Sequence, residues 1–381
     1  MVAGETAMTL ALADSLFLSI SPDAARTKVI LFLAVSMAPF AIVAPFVGPL
    51  VDRMRGGQRI VVFLVAVLRA LVLIGMMQSL DSLTLFPLAF ASLVLAKTYS
   101  IAKSSLVPTI VVGSEGLVEA NSKLGQIAGI TGFVVVIPVG LLQLVSSQAA
   151  LGFGVVAFIA AALNAYRLPK IVVATKPANA LEKEELHSAS VVAAANAMRV
   201  LRGIVGFMFF HLAFWLRREV AGTAWFGLAI GLSGLATLGA NFVGPFLRKK
   251  MQVHTMLLWS LISVGIVGIG SAWYGHITGG ILLAAVVNAA AAIGRLAFEA
   301  TVQSGAPDAN RGRAFSRFET QNQMAWVAGG LIPVIFAPAG WVGFAVVGIV
   351  GVAGAVMYVR MRGTVTGSRG GRATDQVRRS H

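Results

Sequence analysis

The chain contains no cysteine and few charged residues. The missing cysteines exclude a disulfide scaffold, a thiolate metal site, an iron–sulfur site and a cysteine nucleophile. Only 12% of the 381 residues are charged, whereas a soluble domain carries about 25%. The hydrophobic fraction is 57% and the mean hydropathy is +0.84, which is more apolar surface than a soluble core of this size could bury. Composition therefore excludes a single water-soluble domain.

Sequence patterns for nucleotide, metal or hydrolytic chemistry are also missing. The chain has no Walker, HExxH, Gly-x-Ser-x-Gly or EF-hand pattern, and its five histidines are scattered. We therefore expect no enzyme activity, no cofactor and no metal site. Without a nucleotide site, any transport would draw on an ion or substrate gradient, and a proton gradient would suffice.

Twelve apolar windows are each long enough to cross a bilayer, which takes about 20 residues. We number them as spans 1 to 12: residues 2–20, 28–50, 60–78, 84–107, 122–144, 148–167, 197–216, 221–246, 254–273, 276–302, 317–337 and 340–359. A linker, 168–196, follows span 6. The tail, 360–381, is rich in arginine and glycine, and we expect it to be disordered.

The basic residues predict the orientation in the membrane. With the amino terminus inside, 22 of the 30 lysines and arginines fall on the cytoplasmic side and four on the outside, as the positive-inside rule requires. This distribution accounts for the net charge of +15 without nucleic acid as a partner. We expect a monomer in the cytoplasmic membrane with both termini inside. Because span 1 starts without a preceding anchor, we also expect that some native amino-terminal residues are missing.

An internal repeat divides the chain into two halves. APFVGP at 44–49 ends span 2, ANFVGP at 240–245 ends span 8, and basic residues follow both. The sequence thus predicts an all-α membrane protein with two pseudo-symmetric six-helix halves, residues 1–167 and 197–359. Transporters are often built from such repeats, with the substrate site between them.

The segment GPLVDRMRGGQR at 48–59 resembles the loop 2–3 signature of the major facilitator superfamily, and the resemblance covers essentially the whole chain. It implies a conformational latch, a charge cluster that stabilises one state, formed by Gly48, Asp52, Arg53, Gly57 and Arg59. GLVEAN at 116–121 and RGRAFSRFET at 311–320 resemble loops of the macrolide-type drug exporter branch. Span 5 lacks the Gly-Pro pair that is typical of antiporters. The absence of this pair does not favour proton antiport.

We single out seven ionisable residues within the spans as candidates. Each costs about 2.5–3.5 kcal/mol at a span centre and is a functional candidate by default. In the family fold, spans 1, 4, 7 and 10 line the central cavity, and only one of the seven residues, on span 3, lies elsewhere. The seven are Glu5, Asp14, Arg69, Lys97, Lys103, Arg295 and Glu299.

Helix geometry limits how these charges combine. Glu5 and Asp14 are nine residues apart, about 180° around a helix, so they do not form a carboxylate pair. Asp14 is either a proton- or cation-binding carboxylate or the ion-pair partner of Arg69, which lies at a compatible depth. Lys97 is placed for substrate or for a carboxylate of span 1. Lys103 either pairs with Glu5 or extends to the membrane surface.

Arg295 and Glu299 share a helix face at i and i+4 and are expected to pair, as a structural or gating element. His211 in span 7 is either a buried, hydrogen-bonded histidine or a group that titrates near neutral pH. Lys97, Lys103, Arg295, Glu299 and His211 form the predicted substrate cavity, and Asp14, Glu5 and Arg69 form the predicted coupling site.

The sequence thus predicts a secondary transporter that works by alternating access. The resemblance implies export of a small amphipathic organic molecule, and a titrating carboxylate would allow proton coupling. The alternatives are a uniporter or an anion or lipid carrier, favoured by the four cations among the seven membrane charges, and a non-transporting membrane scaffold or sensor.

Overall fold

The computed structural model describes residues 1–16, 57–80, 82, 84–107, 111, 114–168, 188–216, 219–220, 222–305 and 311–378. Within these ranges the regular structure is entirely helical, in eleven helices. They are α1 (Val2–Leu16), α2 (Gly57–Met77), α3 (Leu85–Leu106), α4 (Ser114–Val145), α5 (Ser147–Ala165), α6 (Ala189–Trp215), α7 (Gly222–Lys250), α8 (Val253–Tyr274), α9 (Ile277–Gly305), α10 (Arg311–Phe336) and α11 (Gly340–Arg378).

Eight of these helices are long and apolar enough to cross a membrane, judged by length and composition. The eleven helices correspond to spans 1 and 3 to 12. Span 2 lies outside the described residues. The all-helical structure of the described residues confirms the predicted class.

Three helices begin earlier than the hydropathy windows predict. α4 begins at Ser114, α6 at Ala189 and α10 at Arg311, six to eight residues before the apolar run of each span. Hydropathy marks the apolar run, whereas a helix can add polar turns ahead of it. As a result, residues 189–196, assigned to the linker from the sequence, belong to α6.

The last helix also extends beyond its predicted end. α11 continues to Arg378, past the predicted end of span 12 at 359. A helix that is already nucleated needs only one hydrogen bond per added residue to propagate. The expected disorder of the tail stays a prediction.

The chain divides into two compact units. The first comprises Met1–Val112, Lys123–Ala178 and Pro307–Gln323, and the second comprises Gly113–Ser122, Asn179–Ala306 and Met324–His381. The first unit thus includes the start of α10, from the second half of the sequence. The second unit includes the start of α4, from the first half.

In the first unit, α1 and α2 pack against α5, and α2 packs against α3. Ala7, Leu73, Met76, Leu151 and Phe158 are fully buried and belong to one hydrophobic cluster. Because α1 and α2 both pack on α5, their charged residues are positioned relative to each other.

In the second unit, α8 packs against α11 and α9, and α6 packs against α9 and α11. The contact between α8 and α11 is close because glycines meet there: a Cβ placed on Gly268 would lie 2.6 Å from the backbone of Gly348. Small residues at such crossings allow helix backbones to approach in a membrane, where no hydrophobic effect drives association.

Candidate functional site: charged residues of the membrane helices

An ion pair joins α1 and α2 in the first unit. Arg69 Nη1 lies 3.7 Å from Glu5 Oε2, and the side chains are 0% and 47% exposed, respectively. The guanidinium also lies over the Phe158 ring, 4.4 Å from its centroid. None of the three guanidinium nitrogens has a hydrogen-bond partner in the part of the chain that the structure describes. Arg69 is therefore a buried cation whose described counter-charge is half open to solvent.

This pair differs from the partners weighed for these residues from the sequence. Arg69 was considered with Asp14, and Glu5 with Lys103, but the structure brings Arg69 and Glu5 together. Asp14 lies in the last turn of α1, and its side chain is outside the described residues. Lys103 lies in the last turn of α3 and is partly buried.

A second ion pair joins α3 to the start of α10 within the first unit. Lys97 Nζ donates to Glu319 Oε1 at 3.2 Å, and the side chains are 27% and 30% exposed. Lys97 lies in the middle of α3, and Glu319 lies nine residues into α10. The pair connects spans 4 and 11, which belong to different halves of the sequence.

Sequence reasoning missed Glu319. The window for span 11 begins at 317, so Glu319 lay at the very start of the span, in the segment 311–320 interpreted as the loop that enters it, and it was not among the candidates. The helix begins at Arg311 instead, which places this carboxylate well inside the helix. A search for acidic residues near the ends of predicted spans, rather than only at their centres, would have found it.

A third ion pair lies within α9, in the second unit. Arg295 Nε is 3.6 Å from Glu299 Oε1, and the side chains are 45% and 13% exposed. The expected i, i+4 pair is therefore present. It leaves the arginine, not the glutamate, as the more accessible charge.

Neutral polar contacts in the second unit also join the two sequence halves. Asn121 Nδ2 donates to Gln303 Oε1 at 2.7 Å, and the Ser122 hydroxyl donates to the Asn241 carbonyl. All four residues belong to α4, α7 or α9. These buried amides and the hydroxyl carry no formal charge, so this contact does not depend on ionisation.

His211 is buried in α6 among aromatic rings. It stacks on Phe207 and Trp215 and meets Phe344 edge-on, with ring centroids 5.6, 6.1 and 5.7 Å away. Its Nε2 lies 3.3 Å from the Gly340 carbonyl, and a carbonyl accepts only from the N–H tautomer. This arrangement matches the buried, hydrogen-bonded alternative. It ties α6 to the start of α11.

The latch predicted from the resemblance is only partly described. Gly48, Asp52 and Arg53 lie outside the described residues. Gly57 is the first residue of α2, and the Arg59 guanidinium lies 5.0 Å from the centroid of the Tyr166 ring. The latch therefore stays a prediction.

Among the described residues, no group of three or more histidine, aspartate or glutamate side chains could hold a metal ion. The charges instead form pairs, each of one cation and one carboxylate. Such pairs can exchange protons or bind a charged group.

Comparison with known sequences finds no matching family model but does find curated relatives. An uncharacterised protein of Mycobacterium leprae is 29% identical, over 97% of this chain and 71% of its own. An uncharacterised protein of Mycobacterium tuberculosis strain H37Rv is also 29% identical, over 97% of this chain and 74% of its own. Their names state no activity.

Comparison with solved structures finds transporters. A bacterial homologue of the iron transporter ferroportin, in the outward-facing state, matches with a TM-score of 0.70 and 17% identity, over 95% of this chain and 96% of that one. The human organic anion transporter MFSD10 gives 0.69 and 14%, over 94% and 96%. The major facilitator superfamily transporter FucP gives 0.65 and 14%, over 95% and 96%. The chain therefore has the major facilitator fold of twelve helices.

Proposed function

We propose that this chain is a secondary transporter that exports a small amphipathic organic molecule by alternating access, coupled to protons. The structural neighbours named as transporters share only the fold with this chain, and they act on different substrates. The substrate class and the coupling are therefore argued from the charged residues of this chain and from the resemblance of its loops to drug exporters.

The proposal depends on one observation: charged side chains on helices that correspond to predicted spans are partly exposed. Lys97, Glu319 and Arg295 each keep about a quarter to a half of their side-chain surface exposed. Exposure of such charges to hydrocarbon costs several kcal/mol, so we infer that these charges face water rather than lipid. Water-accessible charges on such helices are expected in a transport pathway, whereas a passive scaffold does not need them.

Alternating access requires contacts between the halves that can break and reform. Lys97 and Glu319 link spans 4 and 11, and Asn121 and Gln303 link spans 5 and 10. Each of these polar groups can exchange its partner for water when the cavity opens. Apolar interdigitation at the same positions would hold the halves together more permanently.

Coupling to protons is assigned to α1, with Glu5 and Asp14 as the carboxylates. Glu5 is open to solvent and is the described counter-charge of the buried Arg69. Protonation of Glu5 would leave a buried guanidinium without compensation, which is strongly unfavourable. Proton binding is thus expected to displace α1 relative to α2, and this displacement would connect the proton to the conformational change.

The test is ligand-triggered proton movement in proteoliposomes. The purified chain is reconstituted with a pH-sensitive dye inside, and a panel of cationic, neutral and anionic amphipathic compounds is added under an imposed pH gradient. We expect proton movement with a subset of the compounds. Glu5→Gln and Asp14→Asn are compared with Glu115→Gln, which removes an exposed carboxylate at the start of α4.

Loss of the proton signal in a coupling variant, with Glu115→Gln unaffected, would support both transport and the coupling site. If compounds are transported without proton movement, the chain is a uniporter. If protein that is shown to be folded moves no compound, transport of the tested classes is wrong, and a scaffold or sensor role replaces it.

Carriage of an organic anion is the second candidate, and Arg295 favours it. Its side chain is 45% exposed although its partner Glu299 is 13% exposed, so the guanidinium is accessible to a carboxylate or phosphate of a substrate. Arg295→Gln should then reduce uptake of anionic compounds while leaving that of neutral compounds unchanged. Equal effects on both classes would exclude a role for Arg295 in charge selection.

A further inference from the structure

The aromatic ring that covers Arg69 belongs to a third helix, α5. The guanidinium carbon of Arg69 lies 4.4 Å from the centroid of the Phe158 ring, and both residues are 0% exposed. A cation is attracted to the face of an aromatic ring, most strongly where neither partner is solvated. Arg69 therefore has two described partners of different chemistry, the Glu5 carboxylate and the Phe158 ring.

Burial distinguishes this contact from two similar ones. The Arg59 guanidinium lies 5.0 Å from the centroid of the Tyr166 ring, and the Lys250 ammonium lies 4.5 Å from that of the Phe246 ring. Those two rings are 59% and 54% exposed, so water competes with them for the cation. The Phe158 ring is instead buried together with its cation, where the attraction is strongest.

Close packing against α1 and α2 holds α5 and its ring in place. A Cβ on Gly4 in α1 would lie 2.7 Å from Phe158 Cζ, and a Cβ on Gly154 in α5 would lie 2.9 Å from the Leu73 side chain in α2. Glycine at these two positions lets the helices approach closely enough for the ring to reach the guanidinium. Because Gly4 directly precedes Glu5, the helix that carries the carboxylate also contacts the ring.

The titratable groups around this ion pair come from several elements. Besides Arg69 on α2, the amino group of Met1 and the hydroxyl of Tyr99 on α3 lie within electrostatic range of Glu5. α5 carries no charged residue, so the face of an aromatic ring is what this helix offers to the cation. A proton affects the two partners of Arg69 differently, because it removes the charge of a carboxylate and leaves a phenyl ring unchanged.

We propose that Phe158 is a positioning residue of the coupling site, whose ring holds the Arg69 guanidinium in place when Glu5 takes up a proton. Proton uptake then releases the carboxylate and α1, while Arg69 stays on α5 and can re-form the ion pair when the proton leaves. This role rests on the coupling function proposed above for Glu5. A ring that only fills space would not depend on the electrons of its face, and this difference can be measured.

The test changes the electrons of the ring while nearly preserving its shape. Phe158 is replaced, by nonsense suppression, with phenylalanine analogues that carry one, two or three ring fluorines, which withdraw electrons from the face that the cation contacts. Unfolding of the purified full chain is then measured in detergent. We expect the equilibrium constant for unfolding to rise with each fluorine, by about tenfold for the trifluoro analogue.

Two backgrounds connect this effect to the ion pair. In Arg69→Met no guanidinium faces the ring, so the trifluoro analogue should change the unfolding constant by less than about twofold. In Glu5→Gln, which imitates the protonated carboxylate, the same analogue should act more strongly, by roughly 30-fold, because Arg69 then depends on the ring. The trifluoro analogue at Phe344, which is also 0% exposed but lies in the second unit, controls for fluorine in a packed core.

Three unfolding results would overturn the proposal. They are no response to fluorine at Phe158, an equal response in Arg69→Met, and a response in Glu5→Gln that is no larger than in the unchanged chain. None of these measurements requires transport, so they can fail or succeed independently of the proposed function.

Proton movement in proteoliposomes separates the positioning role from the coupling role. The trifluoro analogue at Phe158 should reduce the ligand-triggered proton signal severalfold, whereas the same analogue at Phe344 should not. If Glu5→Gln abolishes the signal but the analogue at Phe158 leaves it intact, the positioning role is wrong and the coupling role stands. If Glu5→Gln leaves the signal intact, the coupling role of Glu5 is wrong, and the positioning role that rests on it is overturned as well.

Discussion

Arg69 and Glu5 form an ion pair with an unequal environment: the guanidinium is fully buried, and the carboxylate 3.7 Å away is 47% exposed. A buried charge that loses its partner is strongly destabilising, whereas replacing both members of a pair by apolar or neutral groups can be nearly neutral. The two residues should therefore behave differently when they are changed singly and when they are changed together.

Glu5→Gln is expected to lower the free energy of unfolding by about 1–3 kcal/mol, because it leaves Arg69 buried without a counter-charge. The double variant Glu5→Gln/Arg69→Met should recover most of this loss. Thermal unfolding in detergent measures both, with Glu115→Gln as the control for removal of an exposed carboxylate. Additive effects of the two substitutions would contradict an energetic link between the residues.

Because the chain has no native cysteine, a single introduced cysteine can report on the contact between Lys97 and Glu319 by thiol labelling. Ser316 is 1% exposed and lies one turn before Glu319 in α10. In a Ser316→Cys background, Lys97→Gln should raise the rate of maleimide labelling about fivefold, because a partly exposed ion pair contributes up to about 1 kcal/mol to keeping the segment packed.

Two controls accompany this labelling experiment. Ser260→Cys in α8 is also buried but lies in the other compact unit, so its labelling rate should not respond to Lys97→Gln. The charge exchange Lys97→Glu/Glu319→Lys should restore slow labelling at position 316. If it does not, the ion pair is not what keeps α10 packed against α3.

The ion pair that was predicted from the sequence and is present in the structure is one set by local geometry. Arg295 and Glu299 lie on one helix, so their spacing alone predicts the contact. Arg69 and Glu5 are on different helices, and hydropathy gives only the depth of each residue in the membrane. Which side chain faces which is decided by how α1 and α2 rest on α5, and no pattern in the sequence encodes that directly.

Contacts between segments that are distant in the sequence could not be predicted from it. Lys97 and Glu319 are 222 residues apart, and Glu319 lies in the polar first residues of span 11, which resemble an entering loop. The spans themselves were predictable, since about 20 apolar residues have few alternatives to a membrane helix. Helix ends were less predictable, because polar turns extend α4, α6 and α10 beyond their apolar runs.

Ala337, between α10 and α11, has a positive φ of 42°, which costs a residue with a Cβ about 1–2 kcal/mol. Ala337→Gly removes this strain, but glycine also gains conformational entropy in the unfolded chain, which offsets part of the effect. The net result should be a stabilisation of up to about 1 kcal/mol. Ala339→Gly, in the same loop but without a positive φ, should be destabilising by about 0.4–1 kcal/mol. The melting temperatures of the two variants measure these effects. If both temperatures rise, or both fall, the result contradicts backbone strain at Ala337.

Gly268 and Gly270 lie two residues apart in α8 and should respond oppositely to the same substitution. A Cβ on Gly268 would lie 2.6 Å from the backbone of Gly348, whereas one on Gly270 would meet nothing within 4 Å. Gly268→Ala must therefore push α11 away and should lower the free energy of unfolding by about 1–3 kcal/mol. Gly270→Ala should be neutral or stabilising by up to about 1 kcal/mol, because alanine favours the helix over glycine. Unfolding in detergent compares the two directly, and tolerance of Gly268→Ala would show that α8 and α11 are not in backbone contact.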